Sequence, residues 1–392
     1  AYMLKSLFPT KVRKIKVFLS LLVIILTSLW SHGYLYRGVI QGKPEIYWCT
    51  EDERMTSILR SCRTLKRKYI PTFWASTAYS QLLLLVIYQS LNRTRVEFDK
   101  HLLQTDDNGE VRCDVLKEPK GLNNLSETSP ICLFLHTISG NSSDCSEFAK
   151  YAYKRGWRPI VLCRRGHFGP LKTPQFNIMG DINDTALMID YVKSLYPKSS
   201  FIGAIGISAG SGQVVSFLGN QESYGHPIQA AVSLCPGYNL RHAFQFWHED
   251  HPQLCKHVLN SLKSLFIHQN HKLFAEHPNY QDVLESKTVH EFIVHSATLN
   301  GFDSFDHYLE ECNPTEHYSK NSIPCLILNA RDDPVCLEKN ITLDLASKSK
   351  NYALVLTKYG SHIAFREGLI GNHSYMFQLS LDFLESSKQI LS

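Results

Sequence analysis

What this chain lacks narrows it first. No C-x-x-C pair occurs among its eleven cysteines, and an odd count cannot pair fully within one chain, which argues against a disulfide framework. There is no strong excess of charge: the formal net charge is +5 over 392 residues. Lys5, Lys11, Arg13, Lys14 and Lys16 supply much of it, so the rest is near neutral and carries no nucleic-acid footprint. H-E-x-x-H is missing as well. His248-Glu-Asp-His251 and His268-Gln-Asn-His271 have i, i+3 spacing, but no carboxylate or cysteine set completes four ligands, so no metal or other cofactor is expected. What remains, 44% hydrophobic and 20% charged, is ordinary for a chain able to bury a sizeable core.

One apolar run is long. Residues 17–30, continuing to Tyr36, carry no charged side chain apart from His32, and about 20 helical residues span a hydrocarbon core. Trp30, Tyr34 and Tyr36 fall where an aromatic belt belongs, and the basic cluster in residues 1–16 favours a cytosolic N-terminus. A cleaved signal peptide competes, but no A-x-A-like site follows. Residues 17–36 therefore read as a signal anchor of a single-pass type II protein of the endoplasmic reticulum or plasma membrane. The run from Leu82 to Tyr88 is too short to span and reads as a core or interfacial helix. Residues 37–95 read as a linker and helical lead-in. Sequons at Asn92, Asn124, Asn141, Asn183, Asn340 and Asn372 matter only if the body faces the secretory lumen, as a glycoprotein would.

From residue 96 onward, extended runs and turn signals alternate. Thr105-Asp-Asp-Asn-Gly109 between two such runs is a hairpin signal. Strands are expected at 131–135, 158–163, 199–206, 228–235, 324–328 and 353–357, with helices at 145–155, 181–195 and after residue 212. This alternation predicts an α/β fold, a mostly parallel sheet with helices on both faces. Residues 238–322 lack strand patterning and read as a helical cap inserted over one end of the sheet. Phe244, Phe246, Trp247, Leu265, Phe266 and Phe274 are candidates to line an acyl pocket there, although most of them are expected to pack the cap itself.

Gly206-Ile-Ser208-Ala-Gly210 ends an apolar strand and opens a helix. A serine at such a sharp turn takes a strained backbone, and side chains two residues either way would collide, so the spacing reads as a nucleophile elbow. Ser208 is a poor nucleophile at neutral pH unless a base takes its proton; His362, after the last expected strand, titrates near that pH. Asp332 and Asp333 follow the strand before it. Asp333 is preferred to orient the imidazole because it directly precedes Pro334, leaving Asp332 to bind backbone. The chain order Ser, Asp, His suits this design, and its oxyanion donors would be the amides of Ala209 and Ile138.

Several segments resemble one family. These are Tyr69-Ile-Pro-Thr-Phe-Trp74, the loop from Arg164-Arg-Gly-His-Phe-Gly169 to Thr173-Pro174, the elbow, Phe302-Asp-Ser-Phe-Asp-His-Tyr308, residues 329–334, and Gly360-Ser-His362. Together they resemble the membrane-anchored α/β-hydrolase-domain lipases of AB hydrolase family four, of monoacylglycerol lipase and medium-chain phospholipase type. The resemblance implies an α/β-hydrolase domain over 96–392, a Ser208–His362–Asp333 triad, and hydrolysis of acylglycerol or phospholipid esters through an acyl-enzyme. The chain departs from that pattern at Ser211, where the elbow has glycine, and at Thr137, where the oxyanion loop has glycine. A non-catalytic lipid- or steroid-binding receptor on the same fold is the alternative, and acyl transfer to a lysolipid would share the triad.

Overall fold

The computed structural model describes residues 42–391 apart from 94, 95, 120, 123, 180, 181 and 226. The expected anchor at 17–36 and the basic segment before it lie outside the described residues. Among those described, no helix is long and apolar enough to cross a membrane.

The chain enters through a short strand, β1 (Glu45–Trp48), and two helices, α1 (Glu53–Ser61) and α2 (Ala78–Arg93). The hairpin β2 (Phe98–Gln104) and β3 (Glu110–Leu116) turns where the sequence indicated, with Asn108 at φ 64. Then come β4 (Ile131–Leu135), α3 (Ser146–Lys154), β5 (Arg158–Cys163), α4 (Asn183–Leu195), β6 (Ile202–Ile207), α5 (Ala209–Asn220) and β7 (Ala230–Leu234). After the insertion follow β8 (Cys325–Ala330), β9 (Tyr352–Thr357) and α6 (Tyr375–Leu391).

The nine strands form one sheet in the order β1-β9-β8-β7-β6-β4-β5-β3-β2. Its central six are parallel; β1 joins one edge and the β2–β3 hairpin the other, all antiparallel to their neighbours. Apolar runs such as Ile131-Cys-Leu-Phe-Leu135 are buried along their whole length because both sheet faces are covered. Alternate residues serve opposite layers: Cys132 and Phe134 pack with α1, α3 and α6, while Ile131, Leu133 and Leu135 pack with α4 and α5. Burying one such side chain contributes about 2 kcal/mol.

Two differences from the sequence reading have physical causes. The lead-in segment contributes β1, whose Glu45 pairs with Leu356 at the far end of the chain. Strand β8 runs on through Asn329 and Ala330, because buried Asn329 accepts from Tyr238 Oη at 2.7 Å and stays in the ladder opposite Leu356. Residues 238–322 contain only helices and turns. Phe266, Phe274, Val283 and Phe292 give this cap a core of its own, to which Phe176 and Met179 add.

Arg366, after β9, ties these parts together. Its fully buried guanidinium donates to both carboxylate oxygens of Glu147 on α3 at 2.5 and 2.7 Å, and its backbone N–H donates to Gln81 Oε1 of α2 at 2.7 Å. Removing one partner of a buried ion pair leaves the other charge uncompensated. Glu147→Gln should therefore lower the urea unfolding free energy by about 3 kcal/mol, and adding Arg366→Met should restore most of it; a single-variant loss below about 1 kcal/mol would contradict this pairing.

Candidate active site

Strand order reverses between β4 and β6, so the loops leaving their carboxyl ends diverge and open a crevice. Ser208 stands at the end of β6 with φ 56 and ψ −115, a conformation costing roughly 1–3 kcal/mol in a non-glycine residue. The elbow glycines show why it persists. A Cβ on Gly206 would stand 2.4 Å from Gly210 O, and one on Gly210 only 2.1 Å from Leu135 O and 2.8 Å from His136 O. Here α5 starts in contact with the end of β4. Ser208 N–H donates to Leu234 O at 2.9 Å, and Ser211, the residue departing from the expected glycine, donates its buried hydroxyl to Ser208 O.

The three residues singled out from the sequence meet. His362 Nε2 lies 2.7 Å from Ser208 Oγ, and its Nδ1 lies 2.9 Å from Asp333 Oδ2. The other Asp333 oxygen accepts the N–H groups of Val335 and Cys336 at 2.7 and 2.9 Å, which fixes the carboxylate. Asp332 does the other job: its Oδ1 accepts Ser361 N–H at 2.8 Å. That bond holds the loop carrying His362, in which Ser361, Ile363 and Phe365 have φ of 60, 51 and 46. For β-branched Ile363 such a backbone is a genuine outlier. A hydroxyl, an imidazole and a carboxylate in this line can pass the serine proton to nitrogen and stabilise the resulting cation.

Ala209 and Ile138 both border the pocket that holds Ser208. The Ala209 amide is the first of α5, where N–H groups lack intrahelical partners. Ile138 belongs to the loop after β4, and a residue the sequence reading did not assign positions that loop. Arg164, fully buried at the end of β5, donates to His136 O at 2.9 Å, Thr137 O at 2.7 Å, Gln213 Oε1 at 3.1 Å and Asn177 O at 3.3 Å. None of these acceptors is a carboxylate, unlike those of Arg165, which pairs with Asp184 and Asp107. Burial pushes the Arg164 guanidinium down to about 9, which leaves it charged at neutral pH. Thr137 fits this arrangement: its carbonyl is held by Arg164, and its Oγ1 sits 2.5 Å from where a Gly140 Cβ would be. The available signal was an arginine directly after a buried strand.

The pocket encloses about 350 Å³ beside Ser208 and His362. Of the six cap residues considered, Phe244 and Trp247 line it with Leu240, Leu254 and Val258. Phe266 and Phe274 instead pack the cap core, Leu265 packs against that core, and Phe246 is exposed. The sequence reading missed the wall made by Leu82, Leu85 and Val86 of α2. Cys235, Asp333 and His362 offer ligand-type atoms within 4.8 Å of one another. Burial pushes the Cys235 thiol well up, which keeps it protonated. In the cap, His251 Nδ1 shares a hydrogen bond with Tyr79 Oη.

Comparison with known proteins adds lineage to this geometry. The Hydrolase_4 profile, described as Serine aminopeptidase, S33, matches residues 126–368. Phospholipase ABHD3 of Homo sapiens is 26% identical over 373 residues, covering 93% of this chain and 90% of that protein. Monoacylglycerol lipase ABHD2 of Mus musculus is 25% identical over 358 residues, covering 83% and 81%. An arylesterase structure aligns with a TM-score of 0.49 at 13% identity, over 81% of this chain and 100% of that one.

Burial, and after it the charge of Asp333, raise Asp332 from 3.8 to about 6 against the pull of the Ser361 amide. A carboxyl raised on folding contributes stability that is present at low pH and lost as pH rises through the folded value. The unfolding free energy of the wild type minus that of Asp332→Asn should therefore fall by about 1.4 kcal/mol between pH 5 and pH 8 in urea titrations; a difference independent of pH would contradict the assignment.

Proposed function

Because the chain belongs to the Hydrolase_4 family, the serine aminopeptidase S33 group, we propose that it cleaves carboxylic esters of lipids with Ser208 as nucleophile. The observation that carries this reading is the unbroken line Asp333–His362–Ser208 ending at an apolar pocket. The similarity to a phospholipase and a monoacylglycerol lipase supports acylglycerol or phospholipid esters as the substrate class.

His362 Nε2 takes the Ser208 proton as Oγ attacks the ester carbonyl carbon. The tetrahedral oxyanion is held by the amides of Ala209 and Ile138. Collapse breaks the bond to the alcohol oxygen, which receives the proton from His362, and leaves an acyl-serine. Water then attacks the acyl carbon and gives its proton to His362; the carboxylic acid departs and Ser208 recovers its proton. Arg164 acts through the 136–144 loop as a positioning residue. Residues 17–36 complete the reading as a single-pass anchor with a cytosolic N-terminus, keeping the body beside a membrane that contains the substrate.

A fluorophosphonate probe should label the wild type at one residue and leave Ser208→Ala unlabelled. Labelling that survives Ser208→Ala would remove Ser208 as the nucleophile, and folded wild type that takes no label while it binds lipid would favour the receptor reading instead. Arg164→Lys, which keeps the charge but loses the planar fork, should lower kcat by about 100-fold with little change in KM. An unchanged kcat in folded Arg164→Lys would remove Arg164 from the mechanism.

A further inference from the structure

Helix α2 is the most exposed apolar element among the described residues. Leu83 is 59% and Val86 56% exposed, and Tyr79, Ile87 and Leu91 are exposed beside them. A loop after β9 continues this face. Leu369 and Ile370 are 73% and 58% exposed between Gly368 and Gly371, whose φ values of 85 and 74 form a protruding tip. Tip and helix are one surface: Trp74 Nε1 donates to Leu369 O and Tyr88 Oη to Ile370 O, each at 2.9 Å, and Gly371 lies against Leu84. Soluble surfaces rarely gather so many large aliphatic side chains without a partner.

We propose that this face seats on a lipid bilayer, with α2 lying in the interface and the Leu369–Ile370 tip dipping toward the acyl chains. At 16 residues, or about 24 Å, α2 is too short to span, so it lies flat. The occupant is argued from three observations. The face is continuous with the pocket: Val86 is exposed on it while Leu82, Leu85, Val86 and Gln89 line the cavity beside Ser208. Its fringe carries Trp74, Tyr79 and Tyr88, aromatics with polar tips of the kind that favour the headgroup level. Its charge suits a lipid surface, because no acidic residue occurs from Lys68 to Arg93 and Lys66 and Lys68 are exposed just before it. A helix of this chain, or a second copy, laid along α2 would cover Val86 at the pocket mouth, whereas a bilayer covering it also holds the substrate. This rests on the proposed function for the identity of the substrate but not for the docking.

The test uses the full chain reconstituted in phosphatidylcholine vesicles. Brominated lipid should quench Trp74, read as the difference between wild type and Trp74→Phe, and Leu83→Asp with Leu369→Asp should remove that quenching. The same double variant should lower kcat/KM for a vesicle-embedded ester about tenfold or more while leaving a soluble short-chain ester within about twofold. Three outcomes overturn the proposal: equal quenching with and without Trp74; a maleimide cross-link from Leu83→Cys to Ile24→Cys, which gives the face to residues 17–30; or a dimer that dissociates on Leu83→Asp, which gives it to a second copy. A chain inactive on both esters that still shows Trp74 quenching would sink the enzymatic reading and support docking.

Discussion

Everything at the site depends on how closely the start of α5 approaches the end of β4. Only a residue without a side chain fits at Gly210 against Leu135 O, and only that approach lets the backbone at Ser208 turn sharply enough to lift its hydroxyl above the sheet. The same contact sets the first turn of α5 against the end of β4, so Ser208 and the Ala209 amide are placed by one packing constraint. A side chain at either elbow glycine would separate them together.

Strain and buried charge gather around that constraint, and each is balanced locally. The His362 loop carries three non-glycine residues at positive φ, held by the bond from Ser361 to Asp332 and by Phe365 N–H donating to Gly360 O. The loop after β4 is held instead by a guanidinium among carbonyl oxygens. Arg164, Arg165 and Arg366 are all buried, yet only the last two have carboxylate partners.

The sequence showed the parallel strands because burial on both faces leaves continuous apolar runs, and the elbow because a steric requirement leaves glycines at fixed spacing. The preference for Asp333 over Asp332 rested on turn chemistry, and the hydrogen bonds divide the two carboxylates in that way. Other features were not legible, since they exist only between distant segments. Glu45-Ile-Tyr-Trp48 is too short to signal a strand until β9 offers it an edge. Phe266 and Phe244 look alike in a helical insertion, and only the packed cap separates the one in its core from the one at the pocket. Arg164 has no motif of its own for the role it plays, because its acceptors come from three separate segments: the loop after β4, the loop holding Asn177, and α5.

The central claim is that His362 makes Ser208 a nucleophile. Its most direct measurement is the rate at which a lipid-like β-lactone acylates the protein, with the adduct located by peptide mass spectrometry. The expected result is a single adduct on Ser208, formed about a thousandfold or more slowly in His362→Ala. An adduct on another residue, or an equal rate without the imidazole, would contradict the account.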